Sequence, residues 1–227
     1  MKNREKFDLL NLRVKKAAKT KLMILEVFLE LLKEKTLEQI KVEEICKRVE
    51  ISHKTFFNYF EKKEQLVSYF IQLHSYEMGY LSQKLLNKTA QPLEAIREIF
   101  RNTARGIEGS PQIMIELICL QTTASISCSF EISTAEKLYY YPDIEDIETY
   151  SEGGFNTLIP SLLREAIILG ELHHKTDVDF LYLEIMSMFY GSSIFILKLE
   201  PKKYAQKLDT MIVGLLDKHK TGEENDR

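Results

Sequence analysis

The sequence predicts an all-α protein: an N-terminal three-helix helix-turn-helix domain followed by a C-terminal helical bundle, about nine helices in all. Three observations predict it. Apolar residues recur at helical spacing almost throughout, with hardly any sustained alternation of period two. The 227 residues include only nine Gly and five Pro, too few for a chain made of many tight turns. Hydrophobic residues make up 44% and charged residues 29%, an ordinary globular composition for a chain long enough to bury a sizeable core.

The elements follow in order. Leu22, Leu25, Phe28, Leu29 and Leu32 form one stripe, so a first helix is expected from about Lys15 to Glu34. VEEICKRVE places Val42, Ile45 and Val49 on one face of a short second helix. Glu43 and Glu44 stand near its start and Lys47 and Arg48 near its end, the order the helix dipole favours. Ser52 can cap a third helix, because its oxygen can accept the free amide protons of a first turn. A long amphipathic helix is expected from about Lys62 to Leu86, with the stripe Leu66, Phe70, Leu73, His74, Glu77/Met78 and Leu81. Further helices are expected at about 92–106, 111–130, 144–170, 177–199 and 202–219. Pro92 and Pro111 stand where first turns tolerate proline, and Pro142 and Pro201 mark breaks. The polar tail TGEENDR has the composition of disorder.

Charge is divided unevenly along the chain. The net charge is −3, yet residues 1–63 carry a balance of +6 and residues 64–227 one of −9. A basic third joined to an acidic remainder suggests two tasks, one of them with a polyanion. The N-terminus is polar and basic, with no apolar stretch of signal-peptide length. The longest uncharged run, around SSIFIL, falls short of the roughly 20 apolar residues of a membrane span. Cys46, Cys119 and Cys128 match no metal spacing and read as reduced, buried thiols of a cytoplasmic protein. No metal or cofactor is expected.

ISHKTFFNYFEKKEQL, residues 51–66, crowds Phe56, Phe57, Tyr59 and Phe60 among polar and basic groups. A long helix, a short helix, a tight turn at Glu50-Ile51 and a second short helix make a helix-turn-helix, whose second helix can enter a major groove. Phe56 and Phe60 lie four apart and can pack inward, leaving His53, Lys54, Thr55, Asn58 and Tyr59 largely outward. Lys62 and Lys63 would open the next helix, where free amides favour phosphate.

Residues 20–66 resemble the DNA-binding domain of the TetR family of transcriptional regulators. The resemblance lies in the ILEVFLELL stripe, the VEEICKRVEIS turn and above all TFFNYFEKKEQL. Three positions depart from the family pattern. Phe57 stands where Tyr is frequent, Glu50 where a small residue is usual, and Lys41 where Thr commonly opens the second helix. A left-handed Glu50 would cost about 1 kcal/mol.

The resemblance implies double-stranded DNA as partner. It gives Thr55, Tyr59 and Lys63 to the phosphate backbone, with Lys41 and Lys62 assisting, beside the Ser52 cap. His53, Lys54 and Asn58 are candidates for reading bases, since lysine suits the guanine edge and asparagine the adenine edge. The basic arm (Lys2, Arg4, Lys6, Arg13, Lys15 and Lys16) is a further candidate for phosphate or minor-groove contact, with a solubilising tail as the alternative.

The family organisation implies a head at 1–62 and a ligand-binding and dimerisation domain at 63–227. A homodimer would form through the helices at about 177–199 and 202–219. Their apolar content (Phe180, Leu183, Ile185, Met188, Phe189, Ile194, Phe195, Ile212, Leu215 and Leu216) exceeds what one inner face requires. A small-molecule effector would shift the spacing of two reading heads, coupled through the helix that starts at Lys62. Candidate pocket residues are His74, Met78, Phe100, Met114, Gln121, Thr122, Phe155 and Tyr190, each of which also fits ordinary core packing.

Catalysis has little support. Glu171-Leu172-His173-His174 contains a Glu-x-x-His, but di-iron bundles need two such motifs and further carboxylates. No phosphate loop, HExxH or Gly-x-Ser-x-Gly elbow is present. The alternative reading is a helical small-molecule-binding protein that keeps the fold without specific DNA binding. The acidic, Tyr-rich segment 139–150 has no role assigned by the sequence.

Overall fold

The structure, a computed structural model, describes residues 2–109, 111–122, 131–150 and 154–220. Eleven α-helices occur among them: α1 (Asn3–Asp8), α2 (Leu12–Leu32), α3 (Val42–Val49), α4 (His53–Phe57), α5 (Gln65–Thr89), α6 (Pro92–Gly109), α7 (Pro111–Thr122), α8 (Thr134–Tyr140), α9 (Phe155–Ile168), α10 (Val178–Leu199) and α11 (Tyr204–Asp217). Two short 3-10 turns cover Ile147–Thr149 and Pro201–Lys203.

The all-α class is as expected, and the larger helix count has a local cause. Helices α1 and α8 hold six and seven residues, too few for a periodic stripe to show. Ser133 starts α8 by a reciprocal cap: its Oγ accepts the Glu136 amide and the Glu136 carboxylate accepts the Ser133 amide. The helix expected at 144–170 begins only at Phe155; residues 144–150 form turns and a 3-10 segment instead. Asp146 is left-handed there, with φ 51°, which a continuous helix cannot accommodate.

The chain divides into two compact units. The first comprises Met1–Tyr76 and Gln112–Glu152, the second Glu77–Pro111 and Gly153–Arg227. In the first unit α2 packs on α3 and α8, α3 on α4, and α1 on α8. Its core includes Leu22, Leu25, Phe28, Ile40, Ile45, Phe56, Phe60 and Tyr69, all fully buried. Burial of one such side chain stabilises by roughly 1.5–3 kcal/mol. The buried side of α5 is broader than one stripe. Tyr69 and Tyr76 are buried, whereas Phe70 and His74 are only half-buried.

A polar cluster joins three helices of this unit. Glu136 of α8 is 3% exposed, and its carboxylate accepts from the Tyr69 hydroxyl of α5 and pairs with Lys21 of α2 at 2.6 Å. Burial first, and the neighbouring carboxylate second, push the Tyr69 phenol up.

The second unit packs α6 on α11 and α9, and α10 on α11 and α9. Ile96, Phe100, Leu163, Leu181, Ile185, Phe189, Tyr204, Leu208 and Ile212 fill its core. Gly170 closes α9 with φ 77°, a left-handed position that favours glycine. Arg97 grips Asp209 with two nitrogens, Nε at 2.9 Å and Nη2 at 3.1 Å, tying α6 to α11.

Helices α10 and α11 bury Ile185, Phe189, Ile212, Leu215 and Leu216. They leave Phe180, Leu183, Ile194, Phe195 and Leu199 more than half exposed. An 18-residue stretch of α10 has a mean hydropathy of 1.6, so by length and composition α10 could cross a membrane.

Candidate nucleic-acid interface

The interface is built on two short helices and the turn between them. Helix α3 ends at Glu50, which adopts the left-handed conformation (φ 57°, ψ 44°). That bend lets the Ile51 amide reach the Cys46 carbonyl at 3.0 Å and redirects the chain into α4. The departure from a small residue is therefore a true backbone cost of about 1 kcal/mol. The ends of α3 carry the charges that its dipole favours. Glu44 also pairs with Lys35 at 2.7 Å and Arg48 at 3.4 Å. The hydrogen bond from Lys35 holds the Glu44 carboxyl below its ordinary range. Burial pushes the Cys46 thiol up, in keeping with an inert packed thiol. Cys119 is exposed, contrary to expectation, and Cys128 lies outside the described residues.

Ser52 caps α4: its Oγ accepts the Thr55 amide at 3.1 Å and shares a hydrogen bond with the Thr55 hydroxyl at 2.9 Å. Phe56 and Phe60 are wholly buried, with ring centroids 5.9 Å apart, and Phe60 meets Tyr69 edge-on at 5.3 Å. These aromatics anchor the helix. Its opposite side displays Ser52, His53, Lys54 and Asn58, all exposed, with Thr55 and Tyr59 partly so. Lys41 is exposed at the N-cap of α3. Phe57 is half exposed, an apolar group on an otherwise polar surface.

The region after α4 differs from expectation. α4 ends at Phe57, and α5 begins at Gln65 rather than at Lys62. Residues 61–64 form a turn whose i to i+3 hydrogen bonds lead into α5, so Lys62 and Lys63 precede the helix. Lys62 is exposed. Lys63 has its ammonium on three backbone carbonyls: Leu37 at 2.6 Å, Ile40 at 2.6 Å and Glu38 at 3.2 Å. A lysine has three donors, and here each has a partner within the protein. The side chain thus clasps the turn that leads to Lys41 and α3.

The basic arm is likewise ordered differently from a tail. Residues Asn3–Asp8 are helical, Phe7 is buried, and Lys6 pairs with Asp146 and Glu148. Lys2, Arg4, Arg13 and Lys16 are exposed.

Of the pocket candidates, the second unit brings three near one another. Phe100 and Phe155 have ring centroids 5.3 Å apart, and both meet Phe189, which touches Tyr190 at 5.1 Å. Phe189, expected among the apolar residues of the dimerisation helices, was not among the pocket candidates, since its spacing equals that of any core residue. Burial pushes the Tyr190 phenol up to about 12. Met78, fully buried, accepts a weak contact from the Thr103 hydroxyl at 3.7 Å. His74 belongs to the first unit, half-buried and stacked on Phe70 with centroids 6.1 Å apart, rather than on a buried stripe. Met114 is fully buried, also in the first unit. The side chains of Gln121 and Thr122 lie outside the described ones.

Glu171 to His174 are non-helical, Leu172 forming an antiparallel bridge to Lys220, and the Glu171 carboxylate accepts the Leu93 amide at 2.9 Å. The Glu-x-x-His is thus not displayed on a helix face.

Residues 24–70 match the family model of the bacterial regulatory proteins of the tetR family. No curated protein sequence matches the chain. Among solved structures the fold is similar to that of Thermus thermophilus FadR, a TetR-family transcriptional repressor crystallised with lauroyl-CoA. Identity is 17%, with 91% of this chain and 98% of that one covered and a TM-score of 0.61. TylP, a TetR regulator from Streptomyces fradiae, is 18% identical over 92% of this chain and 82% of its own, with a TM-score of 0.59. At such identities these likenesses speak for fold. The matched segment, about a fifth of the chain, contains the whole α3–turn–α4 arrangement described above, so residues 24–70 form a helix-turn-helix similar to that of the tetR-family regulatory proteins.

Proposed function

We propose that this chain is a cytoplasmic, ligand-responsive repressor that binds a near-palindromic operator as a homodimer. The observation that carries the DNA reading is α4: Phe56 and Phe60 buried beneath it, His53, Lys54 and Asn58 exposed along it. Lys54 and Asn58 would read base edges and His53 would assist. Ser52, Thr55, Tyr59, Lys41 and Lys62 would engage phosphate. In this reading residues 1–62 form the head with its basic arm, and 63–227 the ligand-binding and dimerisation part.

One helix-turn-helix covers few base pairs, so two copies are required for a site of useful length. The exposed apolar residues of α10 (Phe180, Leu183, Ile194 and Phe195) supply a surface for the second copy. Phe195, Leu199 and Met211 continue it into a groove of about 710 Å³ between α10 and α11. The same surface accounts for the apolarity of α10 without a membrane. A small-molecule effector, as in the acyl-CoA complex of the FadR structure, would act by preferring the conformation that does not bind DNA.

The test is selection of bound fragments from a random duplex library by the purified protein. A palindromic motif should be enriched, and Lys54→Ala and Asn58→Ala should each cost about 1–3 kcal/mol of discrimination at one base position. Weak binding without enrichment, confined to low salt, would favour the helical binding protein that keeps the fold without specific DNA recognition.

A further inference from the structure

The two sequence features without a settled role, the basic arm and the acidic Tyr-rich segment, meet in the first unit. Three kinds of contact hold α1 there. Asn3 donates from Nδ2 to the carbonyls of Tyr141 at 2.7 Å and Ile144 at 2.5 Å. Phe7 is 3% exposed and packs against Tyr139 with centroids 5.1 Å apart, while the Lys19 ammonium lies over both rings. Lys6 then bonds Asp146 at 2.8 Å and Glu148 at 2.6 Å.

The first two contacts suffice to dock the helix, because they bury its apolar residue and satisfy its polar one. The third is different in kind. Two carboxylates converge on one ammonium, leaving an excess negative charge beside it, the arrangement an ammonium meets on a DNA backbone. Arg4 of the same helix and Lys2 at its N-cap are exposed, and among the described residues Lys6 is the α1 cation paired with the protein's own anions. The side chains keep 21%, 70% and 24% of their surface open for Lys6, Asp146 and Glu148. The Asp146 pair is open to water, hence weak and exchangeable, whereas the Lys6–Glu148 pair is largely covered and yields only to an anion that takes its place. Lys6 can therefore leave its carboxylates while Asn3 and Phe7 stay in place.

We propose that Asp146 and Glu148 are an internal stand-in for DNA phosphate, an autoinhibitory latch that withholds Lys6 until phosphate displaces them. The inference rests on the DNA-binding reading and adds regulation of affinity by a segment outside the family-matched residues. The latch sets how steeply binding depends on salt, since each phosphate neutralised releases condensed counterions.

The experiment compares full-length wild type with two double variants on a random-sequence duplex, by fluorescence anisotropy across a salt series. Asp146→Asn with Glu148→Gln frees Lys6, and asparagine tolerates the left-handed conformation of residue 146. Asp143→Asn with Glu145→Gln removes the same charge from the same exposed segment without freeing Lys6. The first variant should bind more tightly, with a plot of log K against log salt steeper by about 0.9, one added phosphate. Adding Lys6→Ala to it should restore the wild-type slope. The second variant should keep that slope. Equal responses of the two double variants, an unchanged slope, or weaker binding by the first would overturn the latch. If no form, wild type included, shows salt-dependent binding, the DNA-binding reading falls and the latch with it.

Discussion

Replacing Lys63 by methionine separates two roles for this residue. The family resemblance makes it a phosphate contact, whereas the structure spends its three donors on the carbonyls of Leu37, Glu38 and Ile40. Hydrogen bonds to charged groups contribute about 1.5–3 kcal/mol each when a buried partner is left unsatisfied. Glu38 is exposed and its carbonyl can return to water; Leu37 and Ile40 are buried, although the Leu37 carbonyl also accepts the Ile40 amide at 3.3 Å. Losing Lys63 should therefore cost about 2–4 kcal/mol, counting mainly the two bonds at 2.6 Å. For a chain of this size that corresponds to a fall in Tm of about 5–15 °C, read by calorimetry. The salt dependence of DNA binding, measured well below the lowered Tm, should keep its wild-type slope. Lys63→Arg should recover little, because a planar guanidinium cannot converge on three carbonyls as an ammonium does. A Lys63→Met protein with wild-type Tm and a slope reduced by about 0.9 would refute the reasoning and return Lys63 to the phosphate contacts.

Three other outcomes follow from particular residues. Glu50→Gly relieves a left-handed side chain and should raise the urea midpoint by the equivalent of about 0.5–1 kcal/mol, with helicity unchanged. Asp209 is held below the ordinary aspartate range, chiefly by its hydrogen bonds from Arg97. A depressed folded-state pKa stabilises the fold at pH values above about 4 and loses that contribution as pH falls through the folded value. Asp209→Asn should thus be less stable than wild type by a constant amount from pH 5 to 8, the two curves converging towards pH 2; parallel curves to the lowest pH would show that the charge does not matter. If the proposed homodimer forms through the exposed side of α10, sedimentation velocity should find wild type as a dimer and Phe195→Asp as a folded monomer at the same concentration, with weakened DNA binding.

The helix-turn-helix was legible because its signals are local. The Ser52 cap spans three residues, Phe56 and Phe60 are one helical turn apart, and the left-handed bend falls at the position where a small residue is usual. The all-α class was legible for the same reason, periodicity being a property of short windows. The short helices α1 and α8 escaped because six or seven residues carry too little period to detect.

The sequence by itself determined which surface of α4 could meet DNA, since burial of the two phenylalanines leaves His53, Lys54 and Asn58 no other side. Tertiary structure alone decided where the charges went. Lys6 finds its carboxylates 140 and 142 residues away, Lys63 its carbonyls 23 to 26 residues back, and Glu136 its phenol 67 residues earlier. Nothing in a run of lysines says whether each ammonium will face water, a backbone turn or an acidic segment. That choice depends on which distant groups packing brings within 3 Å, and a charged side chain on a flexible stem takes whichever anion or carbonyl the folded core places there.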